Sequence, residues 1–162
     1  MPPFKIEVVR SRRRKRTVGA QLVGSVLRVS VPAWMSAAEA ERWASVMSTR
    51  FARQADASLV DLDRRARQLA QRYGLPEPAS IRWVESMRTR WGSCTPSTRS
   101  IRISNRLAGY PEWVRDYVIV HELAHLRHPG HGPAFWRLVA RYPKSERARG
   151  YLIAKSGDAE GE

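Results

Sequence analysis

Apolar and polar residues alternate at the start of the chain. In FKIEVVR, residues 4–10, Phe4, Ile6 and Val8 interleave with Lys5 and Glu7, the period-two pattern of a half-buried strand. AQLVGSVLRVSVP, residues 20–32, reads as a hairpin turning at Gly24-Ser25, with Leu27, Val29 and Val31 on one face. The period then changes. Ser36 followed by Glu39 has capping-box spacing and predicts a helix from Ser36 to about residue 53. A second helix is expected from near Ser58, with Asp61 in its first turn and an apolar stripe of Leu59, Leu62, Ala66, Leu69 and Tyr73. Gly74 and Pro76 stop it.

Strand-like stretches follow at 80–89, where Ile81 and Trp83 flank Arg82, and at 99–107, where Ile101 and Ile103 alternate with Arg102 and Ser104. GSCTPST between them carries turn chemistry. A third helix should begin at Pro111, a residue favoured in the first turn, and cover roughly 111–127. Shorter helical pieces are expected at 134–142 and 145–155. The pattern predicts an α+β fold: a small antiparallel sheet with an N-terminal β-hairpin, and long helices. No repeat or linker divides the chain. We expect one domain over residues 1–157, with a β-hairpin region at 1–34, a helical region at 35–157, and a disordered tail at 158–162.

Composition narrows the class. The 162 residues are 43% hydrophobic and 27% charged, enough to bury a core. No apolar run reaches the length of a membrane span, and the first residues lack the apolar core of a secretory signal. The single cysteine, Cys94, has no internal disulfide partner, so a reducing, cytoplasmic setting is expected, with no membrane association. Lys and Arg number 29 against 15 Asp and Glu, a formal +14. That field attracts polyanions. Arginine is spread along the whole chain, however, and SRRRKR at 11–16 reads as a solvated strand end or turn.

All four histidines fall within eleven positions, at 121, 125, 128 and 131. His121 and His125 sit four apart on the third helix, so both imidazoles lie on one face. Around them Trp113, Val114, Tyr117, Val118, Val120, Ala124 and Leu126 make the helix apolar over much of its circumference. Buried His and Glu there need partners. HELAH, with Glu122 beside the pair, is the H-E-x-x-H form of a zincin site. Catalytic zinc takes three protein ligands and an open position. It lowers the pKa of its water toward about 7, and a carboxylate that is not a ligand must take the proton. Glu122 is placed for that role.

The third ligand has three candidates. His128 precedes Pro129, which biases it away from helical geometry, and imidazoles at i, i+4 and i+7 would spread over about 10 Å of axis. Pro129-Gly130 ends the helix and permits a reversal, with Gly130 helping to make the turn, so that His131 can swing back. The interval matches the metzincin string H-E-x-x-H-x-x-G-x-x-H, with His128 in place of its glycine. The fallback is a downstream acid, Glu146. His128 reads as a polar rim residue, or as a donor to a tetrahedral intermediate. In the alternative, the imidazoles are hydrogen-bonded core residues.

MRTRWGSCT (87–95), IRISNRL and VIVHELAHLRHPGHGPAFW together resemble the YgjP-like metallopeptidases, relatives of the SprT-like and WLM zinc-peptidase groups. RSRRRKRT and VSVPAWMS also suit that family, so the likeness spans about residues 4–142. The resemblance implies a zincin-like α+β domain with Zn2+ held by His121, His125 and His131, and Glu122 as general base. The chain departs from the family pattern at PGHG (129–132), where Asn and Ser would flank the third His. RTRWGSC has two readings. In one it is structural, with Trp91 packing, Gly92 bending and Cys94 a small buried hydrophobe. In the other it is a strand edge that pairs with an extended peptide. With three imidazoles in place, Cys94 is not expected as a ligand.

Three functions compete. The first is a zinc-dependent metallopeptidase acting on a peptide or protein substrate as a monomer. The second is a basic, zinc-stabilised nucleic-acid-binding module. The third is a protease acting on nucleic-acid-bound proteins. Glu122 discriminates, because a structural zinc site is closed by four ligands and has no use for a free carboxylate.

Overall fold

The computed structural model describes residues 4–156, and the tail expected at 158–162 lies outside the described residues. The chain forms two compact units, Met1–Ala55 and Asp56–Glu162.

In the first unit, β1 (Lys5–Ser11), β2 (Gly19–Val23) and β3 (Val26–Pro32) form a sheet in the order β1-β3-β2. The β2–β3 hairpin is antiparallel and pairs Leu22 with Leu27. Its turn uses Gly24 at φ 61°, where a side chain would be strained. β1 runs parallel to β3, setting Ile6 beside Leu27 and Val8 beside Val29, so the sheet is mixed rather than antiparallel throughout. The reason is the loop 12–18, which carries the chain across the end of the sheet and leaves β3 between β1 and β2. Alternation fixes the faces of a strand, not the direction of its neighbour.

Leu27, Val29 and Val31 are fully buried, in a cluster with Phe4, Met35, Ala40 and Ala44. Ala40 and Ala44 lie on α1 (Ala37–Ser58), which starts one residue after Ser36. The Ser36 hydroxyl accepts from the Glu39 N–H at 3.2 Å, and the Glu39 carboxylate lies 3.3 Å from that hydroxyl. The helix runs beyond its expected end near residue 53 because no glycine or proline stops it there.

In the second unit, α2 (Leu62–Tyr73) begins after Asp61, whose carboxylate accepts from the Arg64 N–H at 3.1 Å. The cap moves the start past Ser58, and Leu59 drops out of the expected stripe, 84% exposed. Gly74, in the left-handed region at φ 63°, ends the helix. β4 (Ser80–Val84), β5 (Gly92–Thr95) and β6 (Ser100–Ser104) form a second mixed sheet in the order β4-β6-β5. β4 is parallel to β6 and β5 antiparallel to it. The expected strand 80–89 stops at Val84, and the expected strand 99–107 yields to a 3-10 turn at Asn105–Gly109. GSCT, read as a turn, is instead β5. The reversal falls on Pro96–Arg99, where Arg99 sits at φ 53° and its N–H donates to the Pro96 carbonyl at 3.2 Å.

α3 (Glu112–His125) is the core of this unit, packed against α2, α4 (Pro133–Val139), α5 (Ser145–Ser156) and β5. Val114, Ile119, Val120, Leu123 and Ala124 are fully buried. Polar anchoring comes from Arg65 of α2, which grips the buried Asp116 through Nε–Oδ1 at 2.9 Å and Nη2–Oδ2 at 2.5 Å, with Glu112 3.1 Å away. A bidentate pair satisfies a carboxylate that burial would otherwise penalise. The last turns of α3 are thus held on an element fixed at both its apolar and its polar faces. Among the described residues no helix is long and apolar enough to cross a membrane.

Candidate metal centre

The last turns of α3 bring His121 and His125 together, with ring centroids 4.9 Å apart. The helix then tightens rather than reversing on a glycine: Leu126 N–H donates to Leu123 O and Arg127 N–H to Ala124 O, each at 3.1 Å. Gly130, expected to help make the reversal, has no left-handed φ, and a Cβ there would meet nothing within 4 Å. The prolines punctuate the segment. His128 leaves the helix before Pro129, and Pro133 opens α4 in its first turn. The intervening chain brings the His131 ring to 4.7 Å from His125 and 5.5 Å from His121. One ring nitrogen from each of the three lies within 4.8 Å of the others, and among the described residues this is the cluster able to hold an ion. The fallback ligand Glu146 heads α5 instead, its side chain 89% exposed and paired with Arg149 at 3.5 Å. Cys94 lines the cleft beside the trio but does not join it. Burial, aided by Glu122, pushes its thiol up to about 11, so it stays protonated at neutral pH.

His128 serves this cluster through its backbone. Its carbonyl lies 3.0 Å from His125 Nδ1, and protonation of that nitrogen leaves Nε2 for the trio. Two aromatic residues that sequence reasoning left without a role fix the rings. Phe135, fully buried, stacks on His125 at 4.3 Å and meets His121 edge-on at 5.0 Å. Trp136 stacks on His131 at 5.8 Å, with the Arg149 guanidinium 4.6 Å from its own ring. Their signal in the sequence is the FW pair one helical turn after His131.

His121 is 5% exposed, and its pKa is lowered to about 3, first by burial and then by His125, His131 and Arg149. It is therefore a neutral imidazole at working pH, the form that ligates a metal. The same shift has a sign for stability. Below its ordinary value near 6.5, the unfolded chain protonates this histidine while the folded chain does not. Stability of the metal-free protein should then fall as pH drops from about 6.5 toward 3, by up to roughly 1.4 kcal/mol per pH unit from this group. Urea midpoints in chelator at pH 7 and pH 5 measure the slope, and an equal slope in His121→Asn would remove this explanation.

Glu122 is 4% exposed and faces two cavities. One, about 40 Å³, is walled by Trp91, Tyr117, Val118, His121 and Leu152. The other, about 210 Å³, is the cleft shared with Arg90, Cys94, His125 and His131. Gly92 of β5 borders both. A Cβ on Gly92 would lie 3.0 Å from Glu122 Cγ and Oε1 and 3.1 Å from Val118 Cγ1, so the strand's backbone is pressed against the carboxylate. This resolves the RTRWGSC segment into parts. Trp91 packs, with Arg106 4.1 Å from its ring and Tyr110 at 5.7 Å. Gly92 admits Glu122, and β5 forms an edge of its sheet.

Comparison with known proteins gives a consistent picture. The model of the YgjP-like, metallopeptidase domain family matches residues 37–154. The metallopeptidase zymogen abylysin of Pyrococcus abyssi is similar in structure, with a TM-score of 0.53 and 19% identity over 59% of this chain and 94% of that one. The metallopeptidase zymogen jannalysin of Methanocaldococcus jannaschii gives 0.51 and 20% over 59% and 97%. At such identities the likeness is one of fold. No curated protein sequence matches the chain significantly.

Proposed function

Because the chain belongs to the YgjP-like metallopeptidase-domain family, we propose that it is a zinc-dependent peptidase in which His121, His125 and His131 hold the metal and Glu122 is the general base. The observation that carries this reading is the convergence of three imidazole nitrogens within 4.8 Å beside a buried carboxylate that is not one of them. The donor set fits the ion. Nitrogens bound at about 2.0–2.1 Å in a tetrahedral site stand about 3.4 Å apart, so the three rings must turn inward from their 4.8 Å spread to close on the ion. The stacked Phe135 and Trp136 and the bond from His125 to the His128 carbonyl hold the rings near that arrangement.

Zinc bound there would polarise the scissile carbonyl and lower the pKa of water toward about 7. Glu122 then takes a proton from the attacking water on a carboxylate oxygen and returns it to the departing amine nitrogen. β5 is suited to align the substrate. As an edge strand beside Glu122, it can add an extended peptide through main-chain hydrogen bonds. A structural zinc site in a binding module would instead be closed by a fourth ligand, and among the described residues no fourth His, Cys, Asp or Glu joins the trio.

Purified protein should carry close to one zinc per chain by elemental analysis. It should hydrolyse unfolded casein, lose that activity in a chelator and regain it with added zinc. Hydrolysis that continued undiminished after complete removal of metal would end the proposal.

A further inference from the structure

The basic run after β1 is a built surface. Its loop, residues 12–18, folds around Arg14, whose guanidinium donates to Thr17 Oγ1 at 3.1 Å and packs against Gly19, where a Cβ would come within 2.6 Å of it. A second segment, Ala33–Ser36, is tied to the same end of the sheet. Arg10 donates to the carbonyls of Ala33 at 3.2 Å and Met35 at 2.5 Å, and the Ala33 N–H donates to Ser11 O at 3.0 Å. Across the two segments, the Trp34 indole N–H donates to the Lys15 carbonyl at 2.9 Å. Trp34 is nevertheless 66% exposed, the most exposed aromatic among the large exposed hydrophobics of the described residues. In the loop that Trp34 touches, Arg12, Arg13, Lys15 and Arg16 are all exposed, and none of the four is ion-paired among the described residues. Met1–Ala55 contains only Glu7, Glu39 and Glu41 as acids.

We infer that this end of the first unit binds single-stranded nucleic acid, with a base stacked on Trp34 and phosphates on Arg12, Arg13, Lys15 and Arg16. An aromatic face amid cations is what unpaired strands need, because bases stack on it while the backbone tracks the charge. A duplex offers no free base face to the ring. An anionic membrane is the other polyanion such a patch attracts, but the geometry disfavours it. An interfacial tryptophan keeps its N–H for the headgroup region, whereas this one is spent on Lys15. The surface lies wholly in Met1–Ala55, so the inference stands apart from the peptidase reading.

The test is anisotropy of a labelled oligothymidylate of about ten nucleotides, titrated with the full chain across a salt series, beside a duplex of equal length and phosphatidylserine vesicles. Trp34→Ala should weaken oligothymidylate binding by about 10-fold, and Trp34→Phe, which keeps a stacking face, by much less. Neutralising the four cations to Gln should flatten the log–log salt slope by roughly 3, at about 0.7 per phosphate contact on single strands. The exposed cation variants should melt as the wild type does, and Trp34→Phe, which loses the same bond to Lys15 as Trp34→Ala, separates loss of stacking from loss of that bond. No binding, indifference to Trp34→Ala, or stronger capture by duplex or vesicles would each overturn the inference.

Discussion

Glu122→Gln should lower kcat/KM on a casein-derived peptide by about 10³-fold, equivalent to about 4 kcal/mol of lost transition-state stabilisation, while leaving the zinc content unchanged. The substitution keeps the size and shape of a side chain that is 4% exposed and lies against Gly92, so packing of α3 on β5 should survive. What it removes is the capacity to accept a proton. Glu122 is not one of the residues whose ligand atoms cluster, His121, His125 and His131, which is why metal retention is expected. The two measurements separate the possibilities. Loss of zinc together with activity would make Glu122 a structural support of the site. Full activity would remove it from the mechanism.

Gly92→Ala should impair the site although it adds a single methyl group. Its Cβ would press on Glu122 Cγ and Oε1 at 3.0 Å and on Val118 Cγ1 at 3.1 Å, closer than such atoms normally approach. Val118 is a packed core residue of α3 and cannot retreat, so the carboxylate or the strand must move. Overpacking of this kind costs about 1–3 kcal/mol. A displaced base costs more in rate than in stability, because misplacement of a catalytic group by about 1 Å can lose 10²-fold. We expect kcat/KM to fall by roughly 10- to 100-fold with zinc still bound, and Ser93→Ala, on the neighbouring position of β5, to act as the mild control. An unaltered kcat/KM in a folded Gly92→Ala protein would show that the strand does not position Glu122.

Several features were legible in the residues because they depend on neighbours in sequence. The inward face of Leu27, Val29 and Val31, the Ser36–Glu39 cap, the Gly74 stop and the placing of His121 and His125 on one helix face follow from strand alternation, helical period and capping chemistry. Cys94 shows the limit of such reasoning. GSCT has the composition of a turn, yet it is a strand, because pairing with β6 and the close approach of Glu122 decide its conformation. The Leu59 stripe position failed for a related reason, since the Asp61 cap outweighed apolar periodicity.

The chain by itself determined which residue types could meet a metal, and that two of them share a helical turn, since a 3.6-residue period leaves no other outcome. Only the tertiary structure decided that His131 rather than Glu146 lies beside them, that Phe135 and Trp136 brace the rings, and that a glycine on β5 faces the carboxylate. Those outcomes rest on contacts between segments far apart in sequence. Such contacts are set by packing and strand direction, which no local pattern encodes.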